Sequence, residues 1–193
     1  MDGVRSFVFP GTDPAMADSE TQPPARRRRL RRFAIDGGLI LLVFLAIGAW
    51  QTRNLIASGT AAPDFTLRDL EGRPHRLAES QGRKVLLYFW APWCGVCKAV
   101  APNVASVAKS AGDDVEVLSI ALSYRSEEDV ARVAREHGIP GTVLLGDASV
   151  REAYSIDAYP TFYLLGADGT IRHSLVGYST WLGLRARLLW ASL

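Results

Sequence analysis

The chain has 193 residues, 48% of them hydrophobic, and a formal charge of +2, enough apolar material for one globular domain with residues to spare. The positive excess is local. Beyond residue 60 the chain carries 14 Lys and Arg against 15 Asp and Glu, a near-neutral balance with no basic stripe, which argues against nucleic acid as a partner.

Residues 1–32 begin with Pro, Ala, Ser, Thr and acidic residues in no apolar period. Such a stretch cannot bury enough surface to offset its ordering entropy, so it reads as a disordered tail. The tail closes on a basic cluster, Arg26 to Arg29 with Arg31 and Arg32. Residues 33–50, FAIDGGLILLVFLAIGAW, follow at once as an apolar run broken only by Asp36. As a helix this run rises roughly 27 Å, close to the ~30 Å hydrocarbon thickness of a bilayer, and it reads as a transmembrane signal-anchor. Asp36 lies four residues after Arg32, near the headgroups, where a charge is cheap. The arginines ahead of the run, with only Arg53 close behind it, predict a cytoplasmic N-terminus and export of everything after Trp50. A cleaved signal peptide, with Ala46-Ile47-Gly48 as the small-x-small triplet, is the alternative. The residues after Arg31-Arg32 fit a twin-arginine signal poorly.

Residues 51–62 read as a linker and 63–193 as the folded domain. A polar hairpin over 64–77 turns at Glu71-Gly72. KVLLYFW, residues 84–90, is a continuous apolar and aromatic run of the kind covered on both faces of a sheet. Helical spacing runs from Cys94 to about Ala111, with Val100, Val104, Val107 and Ala108 on one side and Pro102 as an expected kink. A second buried strand covers 115–122. Ser126 and Asp129 open a helix over 126–137 as N-cap and acidic first turn. Short strands are expected at 142–145 and 161–165, a helical turn or two at 148–154, and a hairpin through Asp168-Gly169 into 171–176. A last helix closes the chain over 180–189. Strands alternating with helices, then a hairpin and a final helix, specify a layered α/β domain with a mixed sheet.

Cys94 and Cys97 are the only cysteines. Cys94 falls where a strand ends and a helix begins, and there the unpaired N–H groups and the helix dipole favour a thiolate. CxxC pairs so placed lower the free-thiol pKa of about 8.5 to between ~3.5 and ~7, making Cys94 the nucleophile. Cys97, one turn into the helix, is expected to be more buried and to resolve the mixed disulfide. Three other roles fit the pair less well. A four-residue loop gives a structural staple only about 2 kcal/mol. A zinc site needs two more ligands, and His75, His137 and His173 are scattered. Haem attachment needs histidine where Lys98 stands.

FWAPWCGVCK followed by Ala101-Pro102, then Tyr159-Pro160-Thr161 and Val176-Gly177, resembles the thioredoxin fold over residues 61–190. The N-terminal anchor, APDFTLRDLEG and SEEDVARVAREHGI resemble the membrane-anchored, periplasm-facing TlpA, ResA and DsbE branch, and within it the suppressor-of-copper-sensitivity D type of protein disulfide oxidoreductase. The resemblance implies a cis bond before Pro160, with its loop against the disulfide and the Tyr159 backbone and Thr161 beside an extended substrate. Trp93 would cap the thiols. Gly95, Val96, Lys98, Pro102 and Tyr88 would support the motif. Two departures stand out: Tyr88 occupies the place of a buried aspartate, and Val100 that of a glutamate, so the base for Cys97 is unidentified. Tyrosine, with a reference pKa near 10, makes a poor base.

The resemblance implies a membrane-tethered reductant of protein disulfides in the periplasm, fed by a membrane electron donor of the DsbD or CcdA kind. Substrates would be apocytochrome c or copper-handling proteins. No cofactor beyond the Cys94–Cys97 disulfide is expected. A Cu(I) relay or chaperone using the two sulfurs as soft ligands, and a disulfide-forming oxidant, are the alternatives.

Overall fold

The computed structural model describes residues 35–43, 45–48 and 53–190. The expected tail over 1–32 lies outside the described residues, as does part of the expected membrane segment over 33–50. Residues 35–43 and 45–48 are helical, with Leu39, Ile40, Leu42 and Leu45 among the exposed apolar side chains. Among the described residues no helix is long and apolar enough to cross a membrane.

The domain contains strands β1 (Thr66–Asp69), β2 (Pro74–Arg76), β3 (Lys84–Trp90) and β4 (Val115–Ala121), then β5 (Thr142–Leu145), β6 (Thr161–Leu165) and β7 (Ile171–Val176). Its helices are α1 (Gly95–Ala111), α2 (Glu127–His137), α3 (Ala148–Ala153) and α4 (Trp181–Trp190). All seven strands form one sheet in the order β2-β1-β5-β4-β3-β6-β7. Strands β3, β4 and β5 are parallel, while β1, β6 and β7 join antiparallel to their neighbours, so the sheet is mixed as expected.

Strand β3 lies between β4 and β6 and serves both hydrophobic clusters, because successive side chains of a strand point to opposite faces. Leu86, Tyr88 and Trp90 join the cluster built with Val100, Val104 and Val107 of α1 and Leu184 and Leu188 of α4. Val85, Leu87 and Phe89 join the other, with Leu118, Ile120, Val150, Tyr154 and Tyr163. Burying each such side chain contributes about 1.5–3 kcal/mol, so the strand that leads into Cys94 is among the most firmly held elements. Helix α1 continues through Pro102, which has no N–H to give the Lys98 carbonyl.

Local signals set the ends of several elements. The Ser126 hydroxyl accepts the Asp129 N–H at the start of α2, and Gly138 closes that helix in the left-handed region. In the β1–β2 hairpin the buried Asp69 carboxylate accepts the Glu71 and Arg73 backbone N–H groups and Arg73 Nε, and lies 2.8 Å from His75 Nε2. Burial raises this carboxyl, but the hydrogen bonds from His75 and Arg73 outweigh it and hold the group well below the usual carboxylate range.

The expected linker over 51–62 is not free where it is described. Leu55, Ile56 and Ala62 pack against the second cluster, Ile56 N donates to Tyr163 Oη at 3.3 Å, and Ala61 bridges to Thr170. Leu55 and Ile56 are the only large aliphatic pair in that stretch, and their burial seats it on the domain.

Two glycines provide a stability test. Gly138 (φ +60°) has open space where a Cβ would stand, whereas at Gly141 (φ +73°) a Cβ would come within 2.1 Å of the Val117 carbonyl oxygen in β4. Alanine at 138 is expected to cost about 1–2 kcal/mol for its left-handed backbone. Alanine at 141 must also displace backbone and is expected to cost clearly more. Equal shifts of the urea midpoint would contradict that ordering.

Candidate active site

Strand β3 ends at Trp90, whose carbonyl accepts the Leu122 N–H at 2.8 Å. The chain then turns tightly, with Cys94 N donating to the Ala91 carbonyl at 3.0 Å. That turn delivers Cys94 to the N-cap of α1 with extended backbone (φ −79°, ψ 105°). Cysteine takes the place usually held by Ser, Thr, Asp or Asn, and its Sγ accepts the Cys97 N–H at 3.1 Å. The Cys94 carbonyl accepts the first N–H of the helical ladder, from Lys98 at 3.3 Å.

Cys94 and Cys97 form a disulfide with Cα atoms 5.3 Å apart. The two sulfurs differ in access: Cys94 is 6% exposed and Cys97 is fully buried. Gly95 is exposed, as are Val96 and, at 66%, Trp93. Lys98 is half-buried, and Pro102 lies exposed further along α1.

The Tyr159–Pro160 peptide bond is cis. Pro160 and Thr161 are buried, and Thr161 Oγ1 donates to the Ala158 carbonyl at 2.8 Å. The Pro160 carbonyl accepts the Gly177 N–H at 2.8 Å, tying this loop to the end of β7. The cysteine loop and the proline loop meet through their aromatic rings, Trp93 and Tyr159, whose centroids are 5.7 Å apart at 82°. This edge-to-face arrangement is one that aromatic pairs favour.

Beneath the disulfide, Tyr88 is fully buried and stacked on Phe162 with centroids 5.1 Å apart. Its hydroxyl donates to the Cys97 carbonyl at 2.8 Å. Burial pushes the Tyr88 phenol up from its ordinary value, so the group neither ionises near neutrality nor takes a proton from Cys97. Tyr88 therefore braces the helix backbone rather than serving as a base. Val100, at the other position where the family resemblance implies an acid, is buried in the same cluster.

Two groups outside the sequence expectations also touch this region. Ser123, just after β4, receives the Trp93 indole N–H on its carbonyl at 3.0 Å and shares a 3.0 Å hydrogen bond with the Tyr159 hydroxyl. Asn103 Nδ2 donates to Tyr178 Oη at 3.1 Å and to the Ser179 carbonyl at 3.0 Å, pinning α1 to the loop before α4. Neither residue sits in a motif or follows a periodicity, so nothing in the sequence singles them out.

Replacing Tyr88 with Phe removes one buried hydroxyl and its bond to Cys97. The oxidised variant is expected to lose about 1 kcal/mol of stability in urea. Its pH profile of disulfide reduction should keep the wild-type shape. A profile displaced by the substitution would make the phenol a proton carrier after all.

Residues 58–174 match the AhpC/TSA family. The chain is 30% identical to the thioredoxin-like protein YneN of Bacillus subtilis over 152 residues, covering 74% of this chain and 89% of that one. It is 28% identical to the thiol-disulfide oxidoreductase ResA of Geobacillus thermodenitrificans, over 79% of this chain and 92% of ResA. Among solved structures it is similar to the exposed lipoprotein thioredoxin of Streptococcus pneumoniae, with a TM-score of 0.60 and 29% identity, covering 66% of this chain and 99% of that one. A sheet and helices of thioredoxin type, with a disulfide at the mouth of α1, thus coincide with matches that cover most of the chain. The chain belongs to the AhpC/TSA family, in its TlpA/ResA/DsbE-like group of thiol-disulfide oxidoreductases.

Proposed function

We propose that this protein is a membrane-tethered reductant of protein disulfides that works on the periplasmic side of the cytoplasmic membrane. The observation that carries the reading is the asymmetry of the sulfur pair: Cys94 accepts a backbone N–H at the mouth of α1 and touches solvent, while Cys97 is sealed behind it.

In the reduced protein the Cys94 thiolate attacks one sulfur of a partner's disulfide, and the partner's other sulfur leaves as a thiolate. Cys97 then loses its proton to solvent and attacks the Cys94 sulfur. The second partner sulfur departs, and the Cys94–Cys97 bond closes. Two electrons pass to the partner, and its thiolates take up two protons. Water is the proton acceptor for Cys97 in this scheme, because the Tyr88 hydroxyl that reaches its backbone carbonyl is itself a bound donor.

The tether is supported by the sequence, and the reducing role by the resemblance to the TlpA, ResA and DsbE branch. A cluster of six arginines, Arg26 to Arg29 with Arg31 and Arg32, stands just ahead of the apolar run over 33–50, which favours a cytoplasmic N-terminus and an exported domain. In an oxidising compartment a reductant needs its own supply of electrons. A membrane donor of the DsbD or CcdA kind suits a tethered acceptor, because confinement raises the effective concentration of each for the other. The names of relatives such as ResA support disulfide exchange as the chemistry, with apocytochrome c or copper-handling proteins as the partners proposed for this chain.

Two measurements test this reading. With Cys97 replaced by Ala, Cys94 should accumulate mixed disulfides with exported, cysteine-containing proteins, and the Cys94→Ala variant should trap none. Equal trapping by the two variants would remove the assigned roles. A phosphatase active only outside the cytoplasm, fused after Leu193, should be active. An inactive fusion that is stably made would reverse the orientation.

A further inference from the structure

Trp93 is 66% exposed, yet its ring is held at two points. The indole N–H donates to the Ser123 carbonyl at 3.0 Å, and the ring meets Tyr159 edge-to-face. Tyr159 is fixed in turn by the 3.0 Å hydrogen bond between its hydroxyl and Ser123 Oγ. Ser123 therefore spends its main-chain carbonyl on one ring and its side chain on the other. It also occupies the left-handed region at φ +52°, a conformation that non-glycine residues adopt only where their surroundings hold them in it. The position is fixed from behind: the N–H of Leu122, its neighbour, closes the last rung between β4 and β3 at the Trp90 carbonyl.

Three loops thus converge on one small residue: the cysteine loop, the turn after β4 and the proline loop. We propose that Ser123 is a positioning residue for disulfide exchange, holding the Trp93 and Tyr159 rings as a preformed rim on which a polypeptide bearing the target disulfide docks beside Cys94. The inference rests on the oxidoreductase reading above and adds to it how protein disulfides are preferred over small ones. A long disulfide-bearing polypeptide lies across the rim, so it gains from rings that need no ordering on binding. A small disulfide that reaches Cys94 alone does not. Rigid aromatic side chains are efficient contact surfaces for this reason.

Ser123→Ala removes the hydroxyl and leaves the carbonyl bond to Trp93. Tyr159→Phe removes the same hydrogen bond from its other end and keeps the ring. With reduced insulin formation as the assay, each variant is expected to raise KM for insulin roughly fivefold with kcat little changed. The double variant should be no worse than either single one, because one shared bond is lost. Ser123→Ala should react with oxidised glutathione at the wild-type rate. A general loss of structure would slow both substrates and lower the melting temperature, and that result overturns the proposal. So does an unchanged KM for insulin in Ser123→Ala when the wild type is active. A wild type that reduces neither disulfide removes the oxidoreductase reading itself, and this inference with it.

Discussion

The Cys97 N–H donating to the Cys94 sulfur is the interaction on which the rest of the site depends. A helix start offers several backbone N–H groups with no partner in the helix, and here one of them is satisfied by a sulfur atom rather than by an oxygen. The same bond that caps the helix favours negative charge on that sulfur. Folding and reactivity thus draw on a single contact, and the surrounding structure serves to keep it in place. Strand β3, buried on both faces, fixes where the turn begins, and the Ala91 carbonyl closes it. Valines 100, 104 and 107 seat α1 on the sheet.

That design gives the second sulfur no base at either of the two positions, Tyr88 and Val100, where the family resemblance implies an acid. Tyr88 stands under Cys97 with its hydroxyl committed to the Cys97 carbonyl and its ring stacked on Phe162. The position is rigid and apolar, suited to holding helix geometry and unsuited to proton transfer. The division of labour we propose follows from this: Cys94 attacks from the mouth of the helix, and the buried Cys97 acts once a partner's sulfur has engaged Cys94. The aromatic rim of Trp93 and Tyr159 lies on the accessible side of this pair, joined through Ser123 to the end of β4.

Much of this architecture was legible in the chain. The run at 84–90 is apolar at almost every position, and it is the strand expected of a sheet covered on both sides. Glu71-Gly72, Asp168-Gly169 and Ser126 mark turns and a cap by chemistry that acts over a few residues, and each lies where its signal said. Long-range choices left no such trace. That β1 pairs antiparallel with β5 follows from the way the whole sheet closes, not from TLRD itself. Leu55 and Ile56 are two apolar residues in a polar stretch, too few to announce that the expected linker docks on the domain. The target of the Tyr88 hydroxyl and the left-handed turn at Ser123 are facts of three-dimensional neighbourhood. The family resemblance could mark Tyr88 as standing where an acid is expected, but not that its hydroxyl is already occupied.

The central claim is that the N-cap position holds the Cys94 sulfur as an anion. It is tested most directly in the reduced Cys97→Ala variant, which keeps the residue-97 backbone N–H and leaves one thiol to follow. The rate of iodoacetamide alkylation measured across pH should reach half its maximum well below the ~8.5 of an unperturbed cysteine. A midpoint at or above that value would mean that the helix does nothing for the sulfur, and would contradict the claim.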